Sequence, residues 1–281
     1  MAGLLVLVGG GKMGGALLAG WLDKGGISAD DVIVVEPSLG AARDLNGRHG
    51  VRVVADPADI DETPALVLFA IKPQVIGDVV GDYRRFATTT PASAFLSIAA
   101  GTRLALFEEA LSDTTAIIRA MPNTPAAVGR GITVCCPNAR AETEQIALCT
   151  HLLEAVGEVA WIDDEDDMDA VTGVSGSGPA YVFLMIESLT AAGIAAGLKP
   201  ELSASLATAT VSGAGELAFR SDEDAEILRR NVTSPGGTTA AALAVLMAGD
   251  GLNALMTKAV QAATDRSREL AGEGHEHRGC Y

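Results

Sequence analysis

Two stretches of this chain carry residue types at spacings suited to chemistry, and both read as anion sites made from backbone rather than charged side chains. The first is Gly9-Gly10-Gly11-Lys12-Met13-Gly14, which satisfies G-x-G-x-x-G and follows directly on the apolar run of residues 4–8. In that setting each glycine has a mechanical task. Gly9 permits a tight turn out of a strand, Gly11 lets backbone approach a pyrophosphate, and Gly14 lets a helix lie close on a sheet. The helix that opens there, with Met13, Leu17, Leu18, Trp21 and Leu22 on one apolar stripe, offers unpaired N–H groups and positive partial charge to phosphate. Glu36 ends the next apolar run, about twenty residues beyond Gly14, where an acid accepts from an adenosine ribose. A dinucleotide site is the expectation.

The second stretch is Thr233-Ser234-Pro235-Gly236-Gly237-Thr238-Thr239, again Gly and Pro just ahead of a helical pattern. Ser234 can donate from its side chain while the N–H groups of Thr238 and Thr239 point out of a first helical turn, a constellation suited to a carboxylate. The plainer alternative is that Ser234 and Thr238 only cap the helix, but a cap needs one such residue rather than a run with two glycines. Ser175-Gly176-Ser177-Gly178-Pro179-Ala180-Tyr181 repeats the arrangement earlier.

These residues require particular elements to hold them. Strand-like runs at 4–8, 32–36, 51–54, 65–71, 94–98, 116–119, 132–136 and 157–162 alternate with helical patterns at 41–49, 75–83, 104–111 and 142–156, which implies a mostly parallel, doubly wound α/β sheet of the Rossmann type. Ligands lie beyond the carboxyl ends of such strands, and three ends are rich in small residues or proline: Ala70-Ile71-Lys72-Pro73, Ser97 to Gly101, and Arg119 to Pro125. After the acidic run Asp163 to Asp167, read as a solvated turn and helix N-terminus, only helical patterns follow, at 168–174, 179–196, 201–219, 225–230, 239–247 and 254–270. The expected domains are therefore residues 1–163, dinucleotide-binding, and 164–281, helical.

Among 281 residues, 48% of them hydrophobic, the net charge of −16 argues against nucleic acid, whose phosphates need clustered Lys and Arg. Cys135, Cys136, Cys149 and Cys280 have neither disulfide-framework nor metal spacing and read as small packing residues. His275 and His277 in the polar, frayed-looking tail lack further ligands, so no metal is expected. With no leader ahead of the first strand and the apolar windows broken by Gly, Pro, Lys12 or Glu187, a soluble cytoplasmic protein without a membrane span is expected.

The motifs resemble those of the pyrroline-5-carboxylate reductases, the last enzymes of proline synthesis. The matching pieces are Gly9 to Gly14, Ala70 to Pro73, Ser97 to Gly101, Met121 to Pro125, Ser175 to Tyr181 and Thr233 to Thr239, in family order over nearly the whole chain. The last two are much more specific than the first. The resemblance implies a Rossmann domain followed by an all-α dimerisation domain of the 6-phosphogluconate dehydrogenase-like type, a homodimer that can assemble into decamers, and reduction of L-1-pyrroline-5-carboxylate to L-proline with NADH or NADPH. Carried over, Val8, Gly9, Gly10, Gly11, Lys12 and Met13 would hold the pyrophosphate, while Ala70, Ile71, Lys72, Pro73, Ala99, Ala100 and Gly101 would line the nicotinamide side. Ser234, Thr238 and Thr239 would bind the substrate, Thr239 nearest the chemistry, and Asp222 matches a family acidic position more loosely. Lys12 stands where the family often has Asn, and residues 225–231 follow the family only in outline.

The residue types suit an imine. Protonating an alkoxide takes a strong donor, commonly His or Lys, yet none of the four histidines falls in a matching motif and Lys72 is the one amine beside a proposed strand end. A cyclic imine enters already protonated, so the site mainly orients it, an effect that can supply ~7–11 kcal/mol; Thr239 is then an orienting hydroxyl. Glu36 should repel a 2′-phosphate and favours NADH, although Arg43 could offset this and leaves NADPH open. Three alternatives remain. A β-hydroxyacid dehydrogenase needs a lysine about where Val182 stands; a non-catalytic nucleotide sensor would not need the Ser234–Thr239 turn; a reductase of another cyclic imino acid would share both sites.

Overall fold

The computed structural model describes residues 3–89 and 92–276. They form two compact units, one from the residues up to 176 together with those from 263 onward, the other spanning 177–262. This differs from a cut after residue 163. The acidic turn and the segment after it are held to the sheet: Glu165 pairs with Arg119, and Ser175 accepts from Asn123.

The first unit is built on eight strands, β1 (Leu5–Val8), β2 (Val32–Val35), β3 (Arg52–Val54), β4 (Leu66–Phe69), β5 (Ala94–Ser97), β6 (Ile117–Met121), β7 (Gly131–Pro137) and β8 (Gly157–Trp161). Their order is β3-β2-β1-β4-β5-β6-β7-β8. The order reverses between β1 and β4, the crevice where dinucleotides bind in this architecture. All neighbours are parallel except β6 and β7. A parallel return needs a helical crossover, and the link from β6 to β7 holds only the short 3-10 stretch Thr124–Val128, so β7 comes back antiparallel.

Every residue of β1, β2, β4 and β5 is buried, because helices cover both faces and alternation is not required. On one face α1 (Lys12–Asp23), α2 (Leu39–His49) and α6 (Thr143–Glu154) contribute Leu17, Leu18, Trp21, Leu45, Leu152 and Leu153 to the core, with Trp21 Nε1 donating to the Leu152 carbonyl at 2.8 Å. The other face is filled by α3 (Pro73–Val79), α4 (Arg84–Ala87), α5 (Leu104–Ala110) and α7 (Met168–Val171), with Tyr83 edge-on to Phe69, their ring centroids 5.1 Å apart. Cys135, Cys136 and Cys149 are buried packing residues with free thiols. Desolvation raises all three thiols, that of Cys136 to about 11. Cys280 and His277 lie outside the described residues.

The second unit contains α8 (Gly178–Ala195), α9 (Pro200–Arg220), α10 (Ala225–Asn231) and α11 (Thr238–Leu246), and α12 (Leu252–Glu276) begins within it. α12 runs on to Glu276, into the stretch read from sequence as a polar tail. α8 and α9 approach closely at Gly193, where Ser203 Oγ donates to the Thr190 carbonyl at 2.7 Å. Little else here is enclosed: α8, α10 and α11 bury no residue at all. Phe183, Leu184, Leu206, Val245 and Leu246 are each about half exposed or more. A helix apolar all round is ordinarily a buried helix, so this surface is shaped for cover by another chain.

The helical run Glu165–Ala195 is, by length and composition, long and apolar enough to cross a membrane, contrary to the sequence expectation. The glycines and proline that were expected to break it do not. Thr172–Gly176 continue it as a π turn, and Pro179 sits in the first turn of α8, where its missing N–H costs no hydrogen bond.

Candidate active site

The glycine-rich turn is held open from three sides. Gly9 leaves β1 at φ +94°, and a Cβ there would lie 2.7 Å from Ile71 Cγ2 and 2.8 Å from the Ala70 carbonyl oxygen. Only glycine lets the end of β4 pass so near. The Ala70 N–H donates to the Val8 carbonyl at 2.8 Å and that of Ile98 to Phe69 at 3.1 Å. The structure thus places Val8, Gly9, Ala70 and Ile71 together at the reversal of strand order, with Ala99, Ala100 and Gly101 following on the next strand. A Cβ on Gly14 would collide with the Gly9 carbonyl, whereas one on Gly11 would meet nothing within 4 Å. Gly11 therefore faces open space and caps α1, with no side-chain cap and no acid in the first turn. The opening N–H groups of α1 remain available to an anion, with Lys12 exposed and Met13 half-buried beside them.

Glu36 is more constrained than expected. Its Oε2 accepts from the Gly10 N–H at 3.1 Å and its Oε1 from the Ser38 N–H at 3.0 Å. The carboxylate thereby fixes the glycine turn against the end of β2, and each oxygen keeps a lone pair for a ribose hydroxyl. Lys72 and Pro73 open α3 and are exposed, Lys72 as N-cap and Pro73 in the first turn.

In the second unit the turn before α11 has the expected character. The Gly237 N–H donates to the Ser234 carbonyl at 3.1 Å, Gly236 sits at φ +72°, and Gly237 is the N-cap, with no side-chain cap and no acid in the first turn. The capping alternative for Ser234 and Thr238 is thus absent. Thr233 behaves otherwise, its Oγ1 donating to the Arg229 carbonyl at 2.6 Å and closing α10. Among the described residues, the hydroxyls of Ser234, Thr238 and Thr239 have no hydrogen-bond partner. Asp222 is exposed in the link between α9 and α10, and no hydrogen bond or ion pair joins it to this turn among the described residues. Its neighbour Glu223 accepts from Asn231 instead.

Sequence reasoning missed the polar contacts beneath the first site. Arg119, 4% exposed, pairs with Glu165 at 2.8 Å, and Glu165 also accepts from the Leu104 N–H at 2.9 Å. Arg103 pairs with Asp166. The acidic run is therefore not simply a solvated turn. Asn123 accepts from the Ile132 N–H at 3.0 Å and donates to Ser175 Oγ at 3.3 Å. The usable signal was a charge inside an otherwise apolar strand, since a buried arginine requires a partner. Of the histidines whose side chains are described, His49 ends α2, and His151 bonds the Gly25 carbonyl at 2.8 Å. Among the described residues no cluster of potential metal ligands occurs.

Residues 165–270 match the family model described as pyrroline-5-carboxylate reductase dimerisation, and residues 4–101 that described as NADP oxidoreductase, coenzyme F420-dependent. Over 95% of the chain and 97% of the relative, the sequence is 42% identical to a pyrroline-5-carboxylate reductase of Synechocystis. The chain belongs to the pyrroline-5-carboxylate reductase family. A pea relative is 38% identical over 95% of the chain and 96% of its own length. The Coxiella burnetii pyrroline-5-carboxylate reductase structure superposes with a TM-score of 0.91 at 33% identity, covering 96% of this chain and 99% of that one. A Plasmodium falciparum pyrroline carboxylate reductase with NADP bound gives 0.79 at 29% identity, covering 95% and 98%. The protein is an NAD(P)H-dependent oxidoreductase of proline biosynthesis, on a Rossmann sheet followed by a helical dimerisation unit. The exposed apolar helices of that unit lie within the stretch that the dimerisation model matches.

Gly11 and Gly14 should separate binding from folding. Gly11→Ala should leave the urea midpoint nearly unchanged and weaken NADH binding at least about tenfold, ~1.4 kcal/mol. Gly14→Ala should destabilise the fold by about 1–3 kcal/mol through overpacking. Urea denaturation and NADH fluorescence titration measure the two effects.

Proposed function

We propose that the reaction runs on two backbone anion sites, the opening of α1 for the dinucleotide pyrophosphate and the opening of α11 for the substrate carboxylate. The observation that carries this reading is the unpartnered trio Ser234, Thr238 and Thr239 around a helix start that no side chain caps. Ser234 Oγ and the N–H groups of Thr238 and Thr239 bind the carboxylate, and Thr239 Oγ1 orients the ring nitrogen. The imine enters protonated, and hydride addition at its carbon yields a neutral amine, so no strong acid is required. Val8 to Met13 hold the pyrophosphate; Ala70 to Pro73 and Ala99 to Gly101 line the nicotinamide. Asp222 belongs to this reading only as an acid near the substrate end, without a contact that recommends it.

The dinucleotide preferred is NADH. Glu36, held by two backbone N–H groups, is a fixed negative charge where a 2′-phosphate would sit. The NADP bound to the Plasmodium relative makes NADPH the specific competing choice, with Arg43 as its counter-charge. A cytoplasmic location fits the free thiols of Cys135, Cys136 and Cys149, since reducing compartments preserve thiols. Dimers assembling into decamers complete the reading.

Thr239→Ala should lower kcat about 10–100-fold, the loss of a hydrogen bond to a charged group worth ~1.5–3 kcal/mol, with the circular dichroism spectrum and Tm retained. Unchanged turnover would remove Thr239 from the mechanism. The wild-type kcat/KM should be larger with NADH than with NADPH, and Glu36→Gln should narrow the ratio. A much larger value with NADPH would reject the preference.

A further inference from the structure

Arg119 stands on β6 beside Ser97 of β5, in register, and just ahead of the turn that starts at Met121. Burial at 4% exposure leaves its guanidinium little water, so a carboxylate must balance it. Glu165 does so through Oε1 at 2.8 Å. The same oxygen accepts from the Leu104 N–H at 2.9 Å, supplying the cap that Arg103, the N-cap of α5, does not. Leu104 follows the Ala99–Gly101 turn almost directly. That turn is also tied at its start, where the Ala99 N–H donates to Ser97 Oγ at 3.2 Å. One carboxylate oxygen therefore joins a side chain of β6 to the start of the helix that follows β5. Asn123 fixes the exit of β6 further along, through Ile132 and Ser175.

We propose that Arg119 and Glu165 are positioning residues for hydride transfer, setting the spacing between the loop after β5 and the loop after β6. The proposal rests on the reading that Ala99–Gly101 line the nicotinamide. Neither side chain touches substrate or dinucleotide in this role. Their effect passes through the loops, where a displacement of about 1 Å is enough to slow a positioned reaction about 100-fold. An apolar pair could fill the same volume, but it would not tie one oxygen to both a strand and a helix start.

The test uses the full chain and four variants, with kcat, the KM for NADH and the deuterium isotope effect of 4-deuterated NADH measured for each. Arg119→Met should lower kcat about tenfold or more and raise the isotope effect, with the KM for NADH changed less than about threefold. Arg119→Lys should restore most of kcat, since it keeps a charge within reach of Glu165. If Arg119→Met fails to fold, Glu165→Gln carries the test, because it retains an acceptor for the Leu104 N–H while losing the ion pair. Unchanged kcat and isotope effect in the folded variants would overturn the proposal. So would a loss of kcat that follows the folded fraction alone. Ala100→Leu tests the underlying reading, and should weaken NADH binding at an exposed position. If it leaves NADH affinity intact, the nicotinamide assignment falls and the proposal with it. If it weakens NADH while the Arg119 and Glu165 variants stay active, only the positioning role falls.

Discussion

An unsatisfied backbone N–H at the start of a helix is the constraint on which the rest of this molecule depends. A chain of net charge −16 that handles a pyrophosphate and a carboxylate must attract anions locally while repelling them overall. In the proposed reading the openings of α1 and α11 do this with peptide groups. Each is capped by a glycine, Gly11 or Gly237, and neither has a side-chain cap or an acid in its first turn. Acids cap other turns and helix starts at Asp56, Asp164 and Glu142, while α2, α3 and α8 also open with neither a side-chain cap nor a first-turn acid. What sets α1 and α11 apart is the glycine-rich turn that leads into each.

Much of the first unit serves to hold the opening of α1 still. The four central strands are short and wholly buried, so the turns at their carboxyl ends start from fixed points. Gly9 has Ala70 and Ile71 against it, and Gly14 presses on the Gly9 carbonyl. Glu36 grips the glycine turn at Gly10. In the proposed reading, rigidity of this kind lets geometry do what a general acid does in ketone reduction. The helical unit follows a different logic. Its apolar residues are exposed on α8, α9 and α11, within the stretch that matches the dimerisation model.

The legible part of the sequence was the part governed by local rules. Strands 5–8, 66–69 and 94–97 announce themselves as apolar runs, and the glycine spacing and the Ser234–Thr239 turn point to backbone anion sites without tertiary information. What escaped depends on contacts distant in sequence. Nothing local to Arg119 names Glu165 as its partner, and the acidic run conceals one half-buried carboxylate among exposed ones. The reversal of β7 follows from the shortness of the link 122–130 and was overlooked among strands that otherwise alternate with helices. The continuous run Glu165–Ala195 was misjudged because glycine and proline were read as breakers, although a π turn and a first-turn proline accommodate them. The segment between residues 163 and 176 is likewise joined to the sheet by contacts distant in sequence, such as Asn123 to Ser175.

The most direct measurement is a crystal structure of the protein with NAD⁺ and L-proline bound together. The carboxylate should accept from the N–H groups of Thr238 and Thr239 at normal hydrogen-bond distances, with Thr239 Oγ1 on the ring nitrogen and the pyrophosphate on the opening of α1. A proline carboxylate bound to a lysine or arginine side chain elsewhere, with the start of α11 left to water, would contradict the account.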